Sequence, residues 1–330
     1  MRRRRCAAAL SATDSRTTFH PRSDPRAPNA VPGWAYSRSG PEAEMERARL
    51  QQIAPVNALT IDVEDYFQVS ALAPHFPRAR WETIPCRVET NVGRILALLG
   101  EAHVHATFFT LGWVAERYPA LVRAIAAQGH EIASHGYWHQ RITELTPGAF
   151  LEDIRRAKAV LEEVSGTAVI GYRAPSFSVG RHSLWAFDAI AEAGYRYSSS
   201  VYPIRHDHYG LPDAPRFPFR PRPGVLEVPV STVCLLRINV PAGGGGYFRL
   251  LPYGLSRWLI QRVNRVDGQP AVFYLHPWEI DAAQPRVRQA SAKTRFRHYV
   301  NLHRTEGRLR SLLRDLTWDR MDRIFVEGRA

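Results

Sequence analysis

The sequence predicts an α/β protein whose strands form a parallel sheet, either open or closed into a barrel. Three observations predict it. From Asn57 onward, apolar segments of strand length alternate with segments of helical period; capping residues stand at the boundaries; and four of the strand-like segments end in a polar or charged residue. Length and composition agree, since 330 residues that are 45% hydrophobic can bury a full core.

The elements follow in order. Residues 1–50 are rich in Arg, Ser, Pro and Ala without apolar periodicity, which predicts a disordered tail, and Met45 is an alternative start. "NALTID" (57–62) reads as a buried strand. Val88, Val92, Ile95, Leu96 and Leu99 recur at helical spacing, with Gly100 where a C-terminal cap belongs. "ATFFTLG" reads as strand, Pro119 opens a helix that Gly129 ends, and "HEIASH" is the next strand. Thr146-Pro147 pairs an N-cap with a first-turn proline and starts a helix lasting to Gly166. "VIGYRAP", a helix over about 182–193, and "YRYSSS" continue the alternation. Then "PRFPFRPRPG" reads as a proline-broken loop, "GVLEVPVS" as strand, "PYGLSRWLIQRVN" as helix and "AVFYLHPWEI" as the last strand. Residues 282–330 read as a basic, helical C-terminal extension to a catalytic domain over 51–281.

The formal charge is +13, but the cations are almost all arginine, with Lys158 and Lys293 the only lysines, and they are interleaved with acids. Mixed-charge helix faces without a nucleic-acid motif predict no nucleic-acid partner. Three dispersed cysteines exclude a disulfide framework and a CxxC zinc site and fit a reducing compartment. No apolar run reaches the roughly 18 residues of a membrane span, and "CAAALSA" is short for a secretory apolar region, so a cytoplasmic location is expected.

In parallel α/β folds, chemistry gathers at the carboxyl ends of strands. That rule selects Asp62, His135, Arg173 and His276. His135 and His139, four apart in "SHGYWH", can meet at one metal ion, and the acids of "IDVED" supply a carboxylate for an open His-His-carboxylate shell. Asp62 and Glu64 alternate on one strand face, which favours Glu64 as third ligand; Asp65 replaces it if the strand ends at Val63. The rival pair His206 and His208 points to opposite faces of an extended segment and reads as loop surface, with substrate contact as its second reading.

"TIDVED", "HGYWH", "RAPSFS" and "YLHPWE", in this order and spacing, resemble the motifs of the polysaccharide deacetylases, the NodB-homology group or carbohydrate esterase family four. "TIDVEDYFQ", "IRHDHYG", "HPWEID" and the "FRHYVNLHRTEGRLRSLL" tail resemble the exosortase- and exopolysaccharide-associated members. The resemblance implies a distorted, incomplete (β/α) barrel and a divalent metal ion, zinc first, with Co, Ni or Fe as alternatives. It implies Asp62 as catalytic base, His135 and His139 as ligands, Arg173 as the group orienting the base, and His276 as general acid. Leu275 falls where the family lines an acetyl-methyl pocket, and Ser176 where a backbone N–H serves as oxyanion donor. Relatives carry an aspartate near Ser198 that buttresses the arginine; its loss here predicts a weaker hold on Arg173.

The implied partner is an N-acetylated polysaccharide or oligosaccharide, with peripheral contact to a polysaccharide-synthesis machinery. Tyr137, Trp138, Phe177, Tyr247, Phe248 and Trp278 flank the motifs and either stack on sugars or simply pack; Trp278 and Tyr137 are the substrate-binding candidates. "PAGGGGYFR" is a glycine loop whose mobility or close approach shapes the cleft. Two other readings stand beside the deacetylase: a hydrolase of a small amide, and a silent carbohydrate-binding remnant.

Overall fold

The structure, a computed structural model, describes residues 55–329 apart from His208. The tail expected over 1–50 lies outside the described residues.

Eleven strands are present among the described residues: β1 (Asn57–Val63), β2 (Thr107–Thr110), β3 (Glu131–Ser134), β4 (Gly171–Tyr172), β5 (Tyr197–Ser198), β6 (Phe219–Arg222), β7 (Val225–Glu227), β8 (Thr232–Leu235), β9 (Ile238–Pro241), β10 (Val272–Leu275) and β11 (Trp318–Asp319). The main sheet runs β10-β1-β2-β3-β4-β5-β7-β6, parallel except for the β6–β7 pair. Between β7 and β10 no ladder forms among the described residues. Ser231 spans that gap, its N–H 3.4 Å from Val272 O and its Oγ accepting from Val272 N at 2.7 Å. The result is the mixed α/β, largely parallel sheet that the alternation predicts.

Strand alternation sorts the core into two faces. Leu59, Ile61 and Val63 point outward into the layer of helices, whereas Ala58 points inward with Phe109, Ala133, Tyr197, Leu226 and Val272. Thr60 and Asp62 share the inward parity, so the same strand that builds the core delivers a carboxylate at its C-terminal end. Met321 and Phe325 fill the inner cluster from the C-terminal segment.

Helices α1 (Val88–Ala102), α2 (Gly112–Arg117), α3 (Pro119–Ala127), α4 (Pro147–Ser165), α5 (Ala186–Glu192), α6 (Gly245–Leu250), α7 (Tyr253–Arg265), α8 (Ala292–Tyr299) and α9 (Leu302–Asp315) surround it. The α4 caps are as expected: Thr146 Oγ1 accepts from Ala149 N, and Gly166 takes the left-handed conformation. Gly100 is not the α1 cap. The helix runs to Ala102, and His103 adopts the left-handed conformation at φ 53°. Two strand expectations also change. "PRFPFRPRPG" contains β6, an edge strand where proline costs no ladder bond, and β10 is not the last strand because β11 pairs with the start of β1.

Candidate active site

Asp62 is the penultimate residue of β1 and faces inward. Arg173, just past β4, donates from Nη1 to Asp62 Oδ1 at 2.5 Å and to Thr60 Oγ1 at 2.8 Å. Its other donors meet Ser199, Nε on the carbonyl at 3.1 Å and Nη2 on the hydroxyl at 3.0 Å. The guanidinium also lies 4.0 Å from the Phe109 ring centroid and is fully buried. This is not the loose hold predicted from Ser198. An acid side chain does stand at that level, one strand over: Glu227 on β7 pairs in register with Ser198.

Beyond Val63 the chain turns sharply, with Glu64 N donating to Asp62 O at 3.0 Å. The strand therefore ends at Val63, the condition under which Asp65 was expected to reach the site. It does not. Asp65 accepts from the backbone N–H groups of Tyr66, Arg87 and Val88 and so anchors the start of α1. Glu64 instead joins His135 and His139, with one ligand atom of each within 4.8 Å of the others.

The donor set fits a divalent cation. His135 Nδ1 lies 2.9 Å from the Arg173 carbonyl, an obligate acceptor, so Nδ1 carries the proton and Nε2 is left bare for a metal. Burial lowers the His135 pKa to about 4, keeping it neutral. Glu64 Oε2 is buried, 2.6 Å from His139 Nε2. Burial opposes ionisation of Glu64, but His139 and His276 together bring its pKa well below the usual carboxylate range. Two imidazoles and an anion crowded around one point are what a cation requires.

His276 follows β10. Its Nδ1 lies 2.7 Å from Glu279 Oε1, and its Nε2 faces the acids, 3.9 Å from Asp62 and 3.6 Å from Glu64. Burial opposes its charging, yet Glu64 and Glu279 raise its pKa to about 9. Trp278 donates to Glu64 Oε1 and stacks on His276, with ring centroids 5.2 Å apart.

Asp62, Glu64, His135, His139, His276 and Trp278 open onto a cleft of about 560 Å³. Ser176 lines it in the left-handed conformation, φ 54°, a strained position for a residue other than glycine. Phe177, Tyr247 and His206 line it too, His206 stacked on Tyr209. Two expected contacts are not brought to the cleft. Leu275 is buried in the helix-facing core, because it precedes His276 and so takes the opposite strand face. Tyr137 is buried against α2 and α4, its hydroxyl on Glu116 and Arg156. Phe248 is core as well.

Sequence reasoning missed Glu279, Arg249, Thr60 and Ser199, and also the cleft wall that Lys293 and Phe296 of α8 supply. Glu279 had a signal, since it lies three residues after His276. The glycine loop acts by close approach: a Cβ at Gly245 would collide with the Glu279 carboxylate.

The family model described as polysaccharide deacetylase matches residues 81–198, and one described as a domain of unknown function (DUF3473) matches residues 199–326. A peptidoglycan-N-acetylglucosamine deacetylase of Bacillus cereus is 33% identical over 94 residues, 28% of this chain and 34% of that protein. A chitooligosaccharide deacetylase of Rhizobium leguminosarum bv. trifolii is 29% identical over 101 residues, 31% of this chain and 44% of that protein. The chain spans about a third of the length of the first curated relatives it matches, 32 to 38%. Among solved structures, a Mycobacterium smegmatis protein assigned to the polysaccharide deacetylases superposes with TM-score 0.55 at 22% identity, covering 83% of this chain and 90% of that one. The PuuE allantoinase superposes with TM-score 0.52 at 15% identity, covering 82% and 88%. These two likenesses establish the fold. Over residues 81–198 the chain is thus similar to the polysaccharide deacetylases, within a fold that both solved structures share.

Proposed function

We propose that the protein is a metal-dependent hydrolase that removes N-acetyl groups from sugar units of a polysaccharide or its precursor, in exopolysaccharide metabolism. The observation that carries this reading is the meeting of Glu64, His135 and His139 beside the Asp62–Arg173 pair, with His276 on the same cleft. When bound there, a divalent cation, Zn²⁺ first among Co²⁺, Ni²⁺ and Fe²⁺, acidifies water and polarises the acetyl carbonyl.

The chain's own groups do the rest. Asp62, aimed by Arg173, which Thr60 holds in turn, accepts the proton of the attacking water. His276 donates a proton from Nε2 to the amine nitrogen as the C–N bond breaks, since an amine leaves only when protonated. Ser176, by its place on the cleft, is the candidate to offer its backbone N–H to the developing oxyanion.

The test is acetate release from several N-acetylated glycans after chelation and re-metallation, with Asp62→Asn alongside. Turnover that returns only with metal and fails in Asp62→Asn is the expected result. Full turnover in Asp62→Asn removes the assigned base. Hydrolysis of a small cyclic amide but of no glycan moves the protein to the amide-hydrolase reading, and metal binding without any turnover moves it to the silent remnant.

A further inference from the structure

We propose that Arg249 is a positioning residue that couples α8 to the proton donor, holding Glu279 and through it the ring of His276. This gives the 199–326 region a task on the leaving-group side of the reaction, and it rests on the deacetylase reading above.

The contacts form an unbroken line. Glu279 Oε1 accepts from His276 N at 3.1 Å and meets His276 Nδ1 at 2.7 Å, so one carboxylate oxygen fixes both backbone and ring. The other oxygen, Oε2, receives Arg249 Nε at 2.6 Å. Both residues are buried, Glu279 at 0% and Arg249 at 2% exposure, so neither charge is screened by water. Arg249 then directs Nη1 to the carbonyls of His298 and Val300, at 2.9 and 3.0 Å, and Nη2 to that of Arg297, at 3.1 Å. These are carbonyls of the final turn of α8 and the residue after it, which lack intrahelical donors and carry the negative end of the helix dipole.

The joint is braced from both sides. Asn301 Nδ2 and Arg308 Nη1 each donate to the Arg249 carbonyl at 2.9 Å. Trp278 is clasped between His276 and His298, its ring 4.3 Å from the latter by centroids. A side chain at Gly245 would collide with the Glu279 carboxylate and have to displace it.

The consequence is directional. With Nδ1–H donated to Glu279, the ring turns Nε2 toward Asp62 and Glu64. In the step served, the C–N bond breaks, its electron pair stays on nitrogen, and the Nε2 proton moves to that nitrogen. His276 is left neutral with Nδ1–H still on Glu279. A substrate whose leaving group departs without a proton does not need this alignment.

The experiment uses the full chain loaded with Zn²⁺ and two substrates, an N-acetylated chitooligosaccharide and 4-nitrophenyl acetate. Glu279→Gln, which keeps size and an acceptor oxygen, is expected to lower kcat on the sugar amide about 30- to 100-fold at unchanged KM. Its rate on the aryl ester is expected to stay within about threefold of the wild type, since a phenolate needs no general acid. Arg249→Met is expected to repeat this pattern, and Arg249→Lys to recover part of the loss. Should Arg249→Met fail to fold, Glu279→Gln and Arg249→Lys still decide. Parallel losses on both substrates, or no loss on the amide, overturn the coupling alone. A wild type that cleaves the ester and no N-acetyl sugar overturns the deacetylase reading, and the coupling with it.

Discussion

Trp278 donates its indole N–H to Glu64 Oε1 at 3.1 Å, which leaves Oε2 as the oxygen that faces His139. A ligand's second oxygen, once occupied, fixes the direction of the first. Trp278→Phe keeps a ring between His276 and His298 and removes only the donor. Metal affinity is expected to fall about tenfold, the scale of a lost outer hydrogen bond to a metal ligand. Competition with a chelator measures it, and a change under about twofold would show that the indole does not orient Glu64.

The neighbouring acids predict opposite phenotypes. Glu64→Gln is expected to lose stoichiometric metal while the fold survives. Asp65→Ala is expected to keep the metal and lose about 2 kcal/mol of stability, because Asp65 holds the unpaired N–H groups at the start of α1. Metal analysis and urea unfolding of the two variants separate the roles. Metal retained in Glu64→Gln and lost in Asp65→Ala would reverse the assignment.

What the sequence made legible was local. Asp62, His135, Arg173 and His276 could be read because each follows a short apolar strand, and fold geometry sends strand ends to one rim. Thr146-Pro147 and Gly166 marked α4 because their backbone chemistry is confined to helix ends. Leu275 was misplaced by a single residue of strand parity, and Tyr137 because aromatic type does not reveal which layer a ring enters. β11 has two residues and therefore no period to detect. The grip on Arg173 by Ser199, and the arrival of Glu227 opposite Ser198, depend on register between strands that meet only after folding.

Glu227 predicts a pH dependence of stability. Burial pushes its pKa up to about 7, against the opposing hydrogen bonds of Ser198, Val201 and Ser200 and the Arg173 charge. The folded state thus holds a proton that the unfolded chain, with an ordinary carboxylate near 4.5, has lost. Its contribution is fully present below pH 4.5 and is lost as pH rises through 7. Glu227→Gln keeps the acceptor for Ser200 N and Val201 N without titrating. The stability of wild type minus that of Glu227→Gln is expected to fall by about 3 kcal/mol between pH 4.5 and 8. Parallel curves for the two proteins, from denaturant melts across this range, would contradict a buried neutral acid.

The last prediction concerns the loop that carries the histidine ligands. His135 directly follows β3, yet His139 must return to the same point, and the chain does so through left-handed conformations at Gly136 (φ 75°) and His139 (φ 54°). A non-glycine residue in that region needs external support. Asp153 of α4 supplies it, Oδ2 accepting from Tyr137 N at 2.9 Å and Oδ1 from Trp138 N at 3.4 Å. A Cβ at Gly136 would press on the same carboxylate, so the loop and the acid fit only together. Asp153→Ala removes both acceptors while leaving every ligand in the chain. His139 is then expected to lose its fixed position before His135 does, because His135 N still donates to Thr110 O at 3.0 Å. Metal affinity should fall about 10- to 100-fold, with Asp153→Asn intermediate because its single amide oxygen still accepts from Tyr137 N. Cobalt substitution gives the readout, since d–d absorption reports the loss of one imidazole; an unchanged spectrum and affinity would mean that the loop holds its shape without α4.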